Sequence, residues 1–219
     1  MAIVESNVLA QLRKFDSATL FNAVCELNGE PNLDYTDHTI RCLLPGLGPA
    51  IGYAITAEFS TNDADSTTLP WHEYYEQMEA SEGPLIAAIR DVDSRPGRGA
   101  SLGDGMATIF KRFGVVGSIV QGTVRDLKGI SEVGLPVWSW GAVPGHGAFG
   151  LVRYDIPISV GQMRVRPGDL LFADGDGCTR IPTENVDDIL ATAQSIAERE
   201  AKDRAKFASA DFRAAHLRQ

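Results

Sequence analysis

Residues 99–126 read GASLGDGMATIFKRFGVVGSIVQGTVRD. Gly103-Asp104-Gly105 opens an apolar, glycine-punctuated segment and Arg125-Asp126 closes it. Met106, Ile109, Phe110 and Phe113 recur at helical spacing, and Val115 to Val120, between Gly114 and Gly122, has the character of a buried strand. A helix of about eight residues rises ~12 Å and a strand of about six spans ~20 Å. A helix followed at once by such a strand lays the chain back along itself. The pattern therefore predicts that Arg125 and Asp126 emerge at the edge that carries Asp104.

These residue types have a definite chemistry if they meet. Asp104 and Asp126 offer hard carboxylate oxygens, directly or through water, of the kind that suits Mg²⁺ or Mn²⁺. Arg125 offers a permanent planar cation for a carboxylate or an enolate oxygen. The first amides of the helix have no internal acceptors, and with the helix dipole they form a seat for an anion. Gly103 and Gly105 let a ligand approach the backbone closely. On pattern alone a Gly-Asp-Gly turn and a solvated Arg-Asp strand edge account for the same letters.

Outward from this stretch, the predicted elements alternate. Leu9, Leu12 and Phe15 suggest a short opening helix, and Leu20, Phe21, Val24 and Leu27 a second one, capped by Asp16 or Ser17 and ended at Gly29-Glu30-Pro31-Asn32. Ile51 to Phe59 reads as a strand, residues 60–70 as a polar loop, Trp71 to Ala80 as a helix, and PLIAAIRDV as a strand. A Gly- and Arg-rich loop follows from Ser94 to Gly103. LPVWSWG is a further strand, and residues 148–182 hold short strands, including QMRV and DLLFADGD, between Pro-Gly and Gly-Asp turns. From Thr183, read as a cap with Glu184 and Asp187 in the first turn, one long charged helix is expected. Its stripe of Ile189, Leu190, Ala193, Ile196 and Ala197 should pack on the domain, and the part beyond Arg199 on a neighbouring subunit or in solvent. The economical architecture is one α/β domain with a C-terminal helical arm.

Composition agrees with that architecture. The chain has 219 residues, 44% hydrophobic and 22% charged, enough for a sizeable core. A net charge of −9 and a pI of about 4.9 disfavour direct nucleic-acid binding. No apolar run approaches a bilayer span, and MAIVESNVLAQLRKF lacks the basic start and apolar block of a signal peptide. Cys25, Cys42 and Cys178 are widely spaced and without CxxC pattern, which argues against a disulfide framework or a thiolate zinc site. A cytoplasmic protein is expected.

Other polar clusters carry two readings each. His72, Glu73, Tyr74 and Tyr75 fit an amphipathic surface helix, with His72 or Glu73 reaching a pocket as the alternative. His146, in GAVPGHGAFG, fits a mobile surface loop, with substrate contact as the alternative. Asp174 and Asp176 fit a tight turn better than a calcium loop, because the EF-hand ligand run is absent. Trp138 and Trp140 share one strand face and read as core or subunit interface.

The pattern G-x3-G-D-x20-R-D, filled by Gly99, Gly103, Asp104, Arg125 and Asp126, resembles that of the RraA-like proteins, which include the class II pyruvate aldolases acting on 4-hydroxy-4-methyl-2-oxoglutarate and 4-carboxy-4-hydroxy-2-oxoadipate. Gly114, Gly117 and Gly122 also fall where that family has glycines. FDSATLFNAV, LLPGLGPAIGYAITAEF, LPVWSWG and VRPGDLLFADGDGCTRIP extend the resemblance from about Phe15 to the terminal helix. The resemblance implies a swivelling β/β/α-type domain over 1–182, with residues 183–219 as a helix packing on it or on a neighbour. It also implies a homotrimer or hexamer with the active site at the subunit interface. By the same resemblance Asp126 would hold Mg²⁺ or Mn²⁺, Asp104 would hold metal-bound water, and Arg125 would contact the pyruvate moiety. Gly103 and the amides around Gly105 and Met106 would seat the substrate. Two departures stand out: Gly105 and Met106 replace the two aliphatic residues common after the acid, and TNDADSTTLPWHEYYEQMEASEG replaces a short Asn-containing stretch near the substrate mouth.

The expected function is a metal-dependent lyase that cleaves a 4-hydroxy-2-oxo acid through a pyruvate enolate, with oxaloacetate decarboxylation as a companion activity. The alternatives are a non-catalytic module like the regulator of ribonuclease E, and a metal-enolate hydratase or isomerase.

Overall fold

A computed structural model describes residues 3–29, 33–64 and 66–217. Helices α1 (Ser6–Leu12) and α2 (Ser17–Asn28) open the chain, and the Asp16 carboxylate accepts the Thr19 amide at 2.7 Å to cap α2. Gly29 ends α2 with a positive φ of 79°, while the rest of the turn expected there, residues 30–32, lies outside the described residues. After the short strand β1 (Arg41–Cys42) come β2 (Ala50–Ser60), α3 (Trp71–Ala80), β3 (Leu85–Asp91), α4 (Asp104–Arg112), β4 (Val115–Val124), α5 (Leu127–Val133) and β5 (Val137–Ala142). The second half supplies β6 (Gly150–Tyr154), β7 (Ile158–Val160), β8 (Met163–Val165), β9 (Leu170–Ala173), β10 (Cys178–Ile181) and the terminal helix α6 (Val186–Phe207).

Strands β2, β3, β4 and β5 run parallel to one another, because each is separated from the next by a helical crossover. The sheet order is β1-β5-β4-β3-β2-β9-β10. Strand β2 is long enough to take a third partner. Its first half, Ala50 to Tyr53, pairs antiparallel with β9, and its far end, Ala57 to Ser60, pairs antiparallel with β6.

Every residue of β2 is buried, so the sheet is covered on both faces. Ile55, Ala57 and Phe59 point to the helical side, with Leu20, Val24, Phe110 and Ile189. Ala54, Ile86, Ile119 and Trp138 point to the other side, where the β7–β8 hairpin covers them with Ile158, Val160, Met163 and Val165. Period-two alternation accounts for this division.

Four expectations are corrected at the element ends. Strand β4 does not stop at Val120 but continues to Val124, because Thr123 and Val124 keep pairing with Gly141 and Ala142. Helix α4 begins at Asp104 rather than Met106, so that acid is its first helical residue. A helix not expected from the pattern, α5, follows Asp126 directly. Thr183 does not cap α6: Ile181 is still paired to Leu170, the chain needs residues 182–185 to turn, and the helix starts after Asn185 with Asp187 and Asp188 in its first turn. Ile189, Ala193 and Ile196 are buried and α6 packs on α2 and α1, whereas residues 201–207 are exposed. Among the described residues no helix is long and apolar enough to cross a membrane.

Candidate active site

The parallel strands end on one edge of the sheet, at Ser60, Asp91, Val124 and Ala142, and the loops that follow converge there. The loop after β3 runs alongside the end of β4. Ser101 donates its amide to Thr123 at 2.7 Å, and the Arg125 amide donates to the Leu102 carbonyl at 2.9 Å. This pairing delivers Gly103 and Asp104 to Arg125 and Asp126, so the bracket does close in space.

Contact around Gly103 is tight. Its backbone is extended, with φ −131°, a conformation open to any residue; the requirement for glycine is spatial. A Cβ there would lie 2.8 Å from Asp126 Oδ2 and 3.1 Å from Arg125 Nε. Gly129, in the first turns of α5, likewise leaves no room for a Cβ because the Asp104 carboxylate packs against it. Asp126 itself is left-handed, at φ 58° and ψ 40°, a region an aspartate enters at some cost. That twist starts α5 and turns the carboxylate back toward Gly103. Arg125 Nε pairs with Asp126 Oδ2 at 3.1 Å, each side chain a little over one third exposed. A pair so exposed is weak, which leaves the guanidinium free to turn to a ligand.

The first hydrogen bond of α4 runs from the Ala107 amide to the Gly103 carbonyl at 3.0 Å. The amides of Gly105 and Met106 precede it and lack an acceptor within the helix. Nothing lies within 4 Å of a Cβ position on Gly105, so this turn is open.

A cavity of about 330 Å³ lies against these groups, reaching Gly103, Asp104, Gly105, Met106 and Arg125. Leu102 and Ile109 continue its lining on the α4 side, and Trp71, Tyr75, Phe149 and His146 complete it from α3 and the loop after β5. Sequence reading did not single out Trp71 or Phe149. The available signal was the i, i+4 spacing of Trp71 and Tyr75, which puts both on one face of α3. His72 is exposed and does not line the cavity, and the Glu73 carboxylate accepts the Tyr154 hydroxyl at 3.1 Å. The surface-helix reading holds for these two. His146 is exposed but does line the cavity, and its Nδ1 sits 2.9 Å from the Gly147 carbonyl. A carbonyl only accepts, so Nδ1 carries a proton and Nε2 of the neutral ring keeps its lone pair.

Buried aspartates tie the loops together. Asp93 Oδ2 accepts the Asn62 and Asp63 amides at 2.6 and 2.9 Å, and Oδ1 accepts the Arg95 amide at 3.0 Å. Burial pushes the Asp93 carboxyl up, but these bonds and one from the Ser60 hydroxyl outweigh it and hold the group below its ordinary value. Asp91 accepts from Gly97 and Asp93, and there burial prevails and raises its pKa. The Gly147 amide donates to the Thr61 carbonyl at 2.8 Å, which joins the loop after β5 to the loop after β2. Across the molecule, Asp174 behaves as a turn residue and also accepts the Ser17 amide and hydroxyl at 2.7 and 2.8 Å.

The carboxylates at this edge fit a small hard cation. Asp104 and Asp126 press into the spaces left by Gly129 and Gly103, so their positions are held by packing. Mg²⁺ and Mn²⁺ accept one or two carboxylates and retain several waters, and an oxygen-only donor set suits them. Among the described residues no group of three or more His, Cys, Asp or Glu could hold an ion, so a cation here would depend on water for its remaining ligands.

Comparison with known proteins gives a consistent answer. A provisional 4-hydroxy-4-methyl-2-oxoglutarate aldolase of Halalkalibacterium halodurans is 32% identical over 129 residues, 58% of this chain and 60% of that protein. The 4-hydroxy-4-methyl-2-oxoglutarate aldolase of Thermus thermophilus is 35% identical over 86 residues, 39% of this chain and 52% of that protein. The chain thus spans only about half to 60% of these relatives. Among solved structures, Streptomyces coelicolor RraAS2, described as an unusual member of the RNase ES inhibitor RraA protein family, matches with a TM-score of 0.75. That match covers 93% of this chain and 98% of the other at 24% identity, a likeness of fold. Residues 18–180 match the family described as RraA-like, Aldolase/RraA, and the chain belongs to that family.

Proposed function

We propose that this chain is a divalent-metal-dependent lyase that breaks the C3–C4 bond of a 4-hydroxy-2-oxo acid, or releases CO₂ from oxaloacetate, through a pyruvate enolate. The observation that carries the reading is the meeting of Asp104, Arg125 and Asp126 around Gly103, beside a cavity of about 330 Å³. The names of the Halalkalibacterium and Thermus relatives point to the same reaction class. Asp126, with Asp104 through water, would hold Mg²⁺ or Mn²⁺, and such an ion supplies Lewis-acid polarisation of the 2-oxo group.

The chain's own residues do the rest. The Gly105 and Met106 amides receive the substrate carboxylate at the positive end of α4. Arg125 donates to the C2 oxygen and offsets the charge that grows on it. His146 Nε2 takes the proton of the 4-hydroxyl. The O–H electrons then form the new C4 carbonyl, C3–C4 breaks, and its electron pair moves into the enolate. Protonation at C3 yields pyruvate. With oxaloacetate the departing group is CO₂, and no hydroxyl proton has to be removed.

The test is pyruvate release from a panel of 4-hydroxy-2-oxo acids and oxaloacetate with Mg²⁺ or Mn²⁺. Chelator and Arg125→Ala should each abolish turnover, and full activity in either would overturn the assignment. Product analysis by NMR separates cleavage from hydration or isomerisation. The fold likeness to RraAS2 favours a second reading, a ribonuclease-binding module. Recovery of a ribonuclease in a pull-down, by a protein inert toward every 2-oxo acid tested, would favour it. We propose a cytoplasmic homotrimer or hexamer, with 183–219 as a helical arm on the 1–182 domain, the exposed end of α6 meeting a neighbouring subunit.

A further inference from the structure

The cavity has two chemically different sides. The side that carries Gly103, Asp104 and Arg125 is polar and takes the constant part of any 2-oxo acid. The facing side is a continuous aromatic surface. Trp71 stacks on Phe149 at 4.9 Å between ring centroids and 23° between planes, and on Tyr75 at 6.2 Å and 22°. Phe59, fully buried, meets Trp71 and Phe149 edge-on from the core at 5.1 and 5.6 Å. Tyr75 is stacked on Phe113 at 6.3 Å and abuts Phe110 edge-on. Burial raises the Tyr75 pKa, so its hydroxyl stays uncharged. Rings braced this way are preorganised, and a flat apolar group can lie against them without rearrangement.

The charge inventory is as informative. Among the described residues that line the cavity Arg125 is the only lysine or arginine, and in the proposed reaction the 2-oxo acid engages it. Leu102, Met106 and Ile109 add alkyl groups to the lining on the α4 side, Ile109 being exposed at 37% despite its size. A carboxylate carried on C4 would face rings, alkyl groups and the exposed His146, with no lysine or second arginine among the described lining residues to meet it, which penalises it. A cavity of about 330 Å³, near the lower end of small-molecule sites, has room for a 2-oxo acid bearing one ring.

We infer that the site selects 2-oxo acids whose C4 substituent is aromatic or bulky and apolar over those that carry a carboxylate as that substituent. This rests on the 2-oxo acid reading above. Trp71, Tyr75 and Phe149 hold the substituent, and the reaction on such an acid releases pyruvate and an aryl or alkyl aldehyde or ketone. The segment around α3, where the sequence departs from the aldolase pattern, supplies two of the three rings.

A matched pair of non-cleavable ligands tests this on the full chain with Mg²⁺ present. 2-Oxo-4-phenylbutanoate and 2-oxoglutarate share the first four carbons and differ in a phenyl ring against a carboxylate on C4. Calorimetric titration should show the phenyl compound binding at least about tenfold tighter, with the advantage mostly lost in Trp71→Ala. Tyr75→Arg should shift the preference toward 2-oxoglutarate, as a new cation would meet the second carboxylate. Should Trp71→Ala fail to fold, the wild-type ratio and Tyr75→Arg still decide the matter. Equal or tighter binding of 2-oxoglutarate to the wild type overturns the inference. Pyruvate release from a panel of 4-hydroxy-2-oxo acids with apolar and with carboxylate substituents on C4, measured on the same preparation, judges the lyase reading independently of this ratio.

Discussion

Gly103 shows how much one missing side chain can position. A methyl group there would sit 2.8 Å from Asp126 Oδ2 and 3.1 Å from Arg125 Nε, so Gly103→Ala must push both away. Displacements of this order in a reacting site cost about 10²-fold in rate. Gly103→Ala is therefore expected to lower kcat by about that factor while circular dichroism and melting temperature change little. His146 makes a different prediction. It is assigned the 4-hydroxyl proton, which exists in aldol cleavage but not in oxaloacetate decarboxylation. His146→Ala should reduce cleavage by about 10²-fold or more and decarboxylation by much less, measured as kcat on the two substrates. Equal losses would remove the histidine from that role. Asp104, Arg125 and Asp126 were legible as candidates because their residue types and spacing are unusual together. His146 was ambiguous, since nothing local to GAVPGHGAFG says which way the ring faces.

Among the elements, the loops that follow the parallel strands are stabilised by carboxylates rather than by apolar packing. Asp93 lies below the ordinary aspartate value of 3.8, so its contribution to stability is full above that value and is lost as pH falls through the lower folded-state value. Asp91 acts in the opposite sense: with its pKa raised, it favours the folded state more when protonated, and its contribution falls as pH rises through that value. Urea unfolding of wild type and Asp93→Asn across acidic pH should show the variant less stable near neutrality, by roughly 1–3 kcal/mol, with the gap closing as acid protonates Asp93. A constant gap at all pH values would contradict this account. At α2 the N-terminus is held twice, by Asp16 and by Asp174. The Asp16 cap could be read locally; the Asp174 contact could not, because it joins residues from opposite ends of the chain.

For the whole molecule, α6 divides into a packed half and an exposed half. Ile196 is 1% exposed and Phe207 is 50% exposed. Ile196→Ala should cost about 2–4 kcal/mol by chemical denaturation, and Phe207→Ala less than about 0.5 kcal/mol in the isolated protomer. A large loss at Phe207, accompanied by a fall in assembly mass in sedimentation, would place that end in a subunit contact. The sheet also contains a charge that apolar patterning does not predict. Glu58 lies within fully buried β2, 2% exposed, and is paired with Arg153 at 2.5 Å and Arg90 at 3.5 Å. Arg153 reaches it because β6 pairs with the end of β2.

The sequence by itself determined the α4–β4 return and the alternation of β2, and it made the meeting of Asp104 with Arg125 and Asp126 an expectation that the pairing of the loop after β3 with the end of β4 then realised. Each rests on repeat length and rise per residue over a short span, which chain geometry dictates locally. It did not determine α5, which is only seven residues long and whose start depends on the left-handed turn at Asp126. Nor could it place Trp71, Phe149 and His146 beside the bracket. They follow different parallel strands, and only the order and register of β2, β3, β4 and β5 bring those strand ends to one edge. Periodicity says which side of an element is buried. Which loops then face one another is a property of the assembled sheet, and here that property created the aromatic side of the cavity.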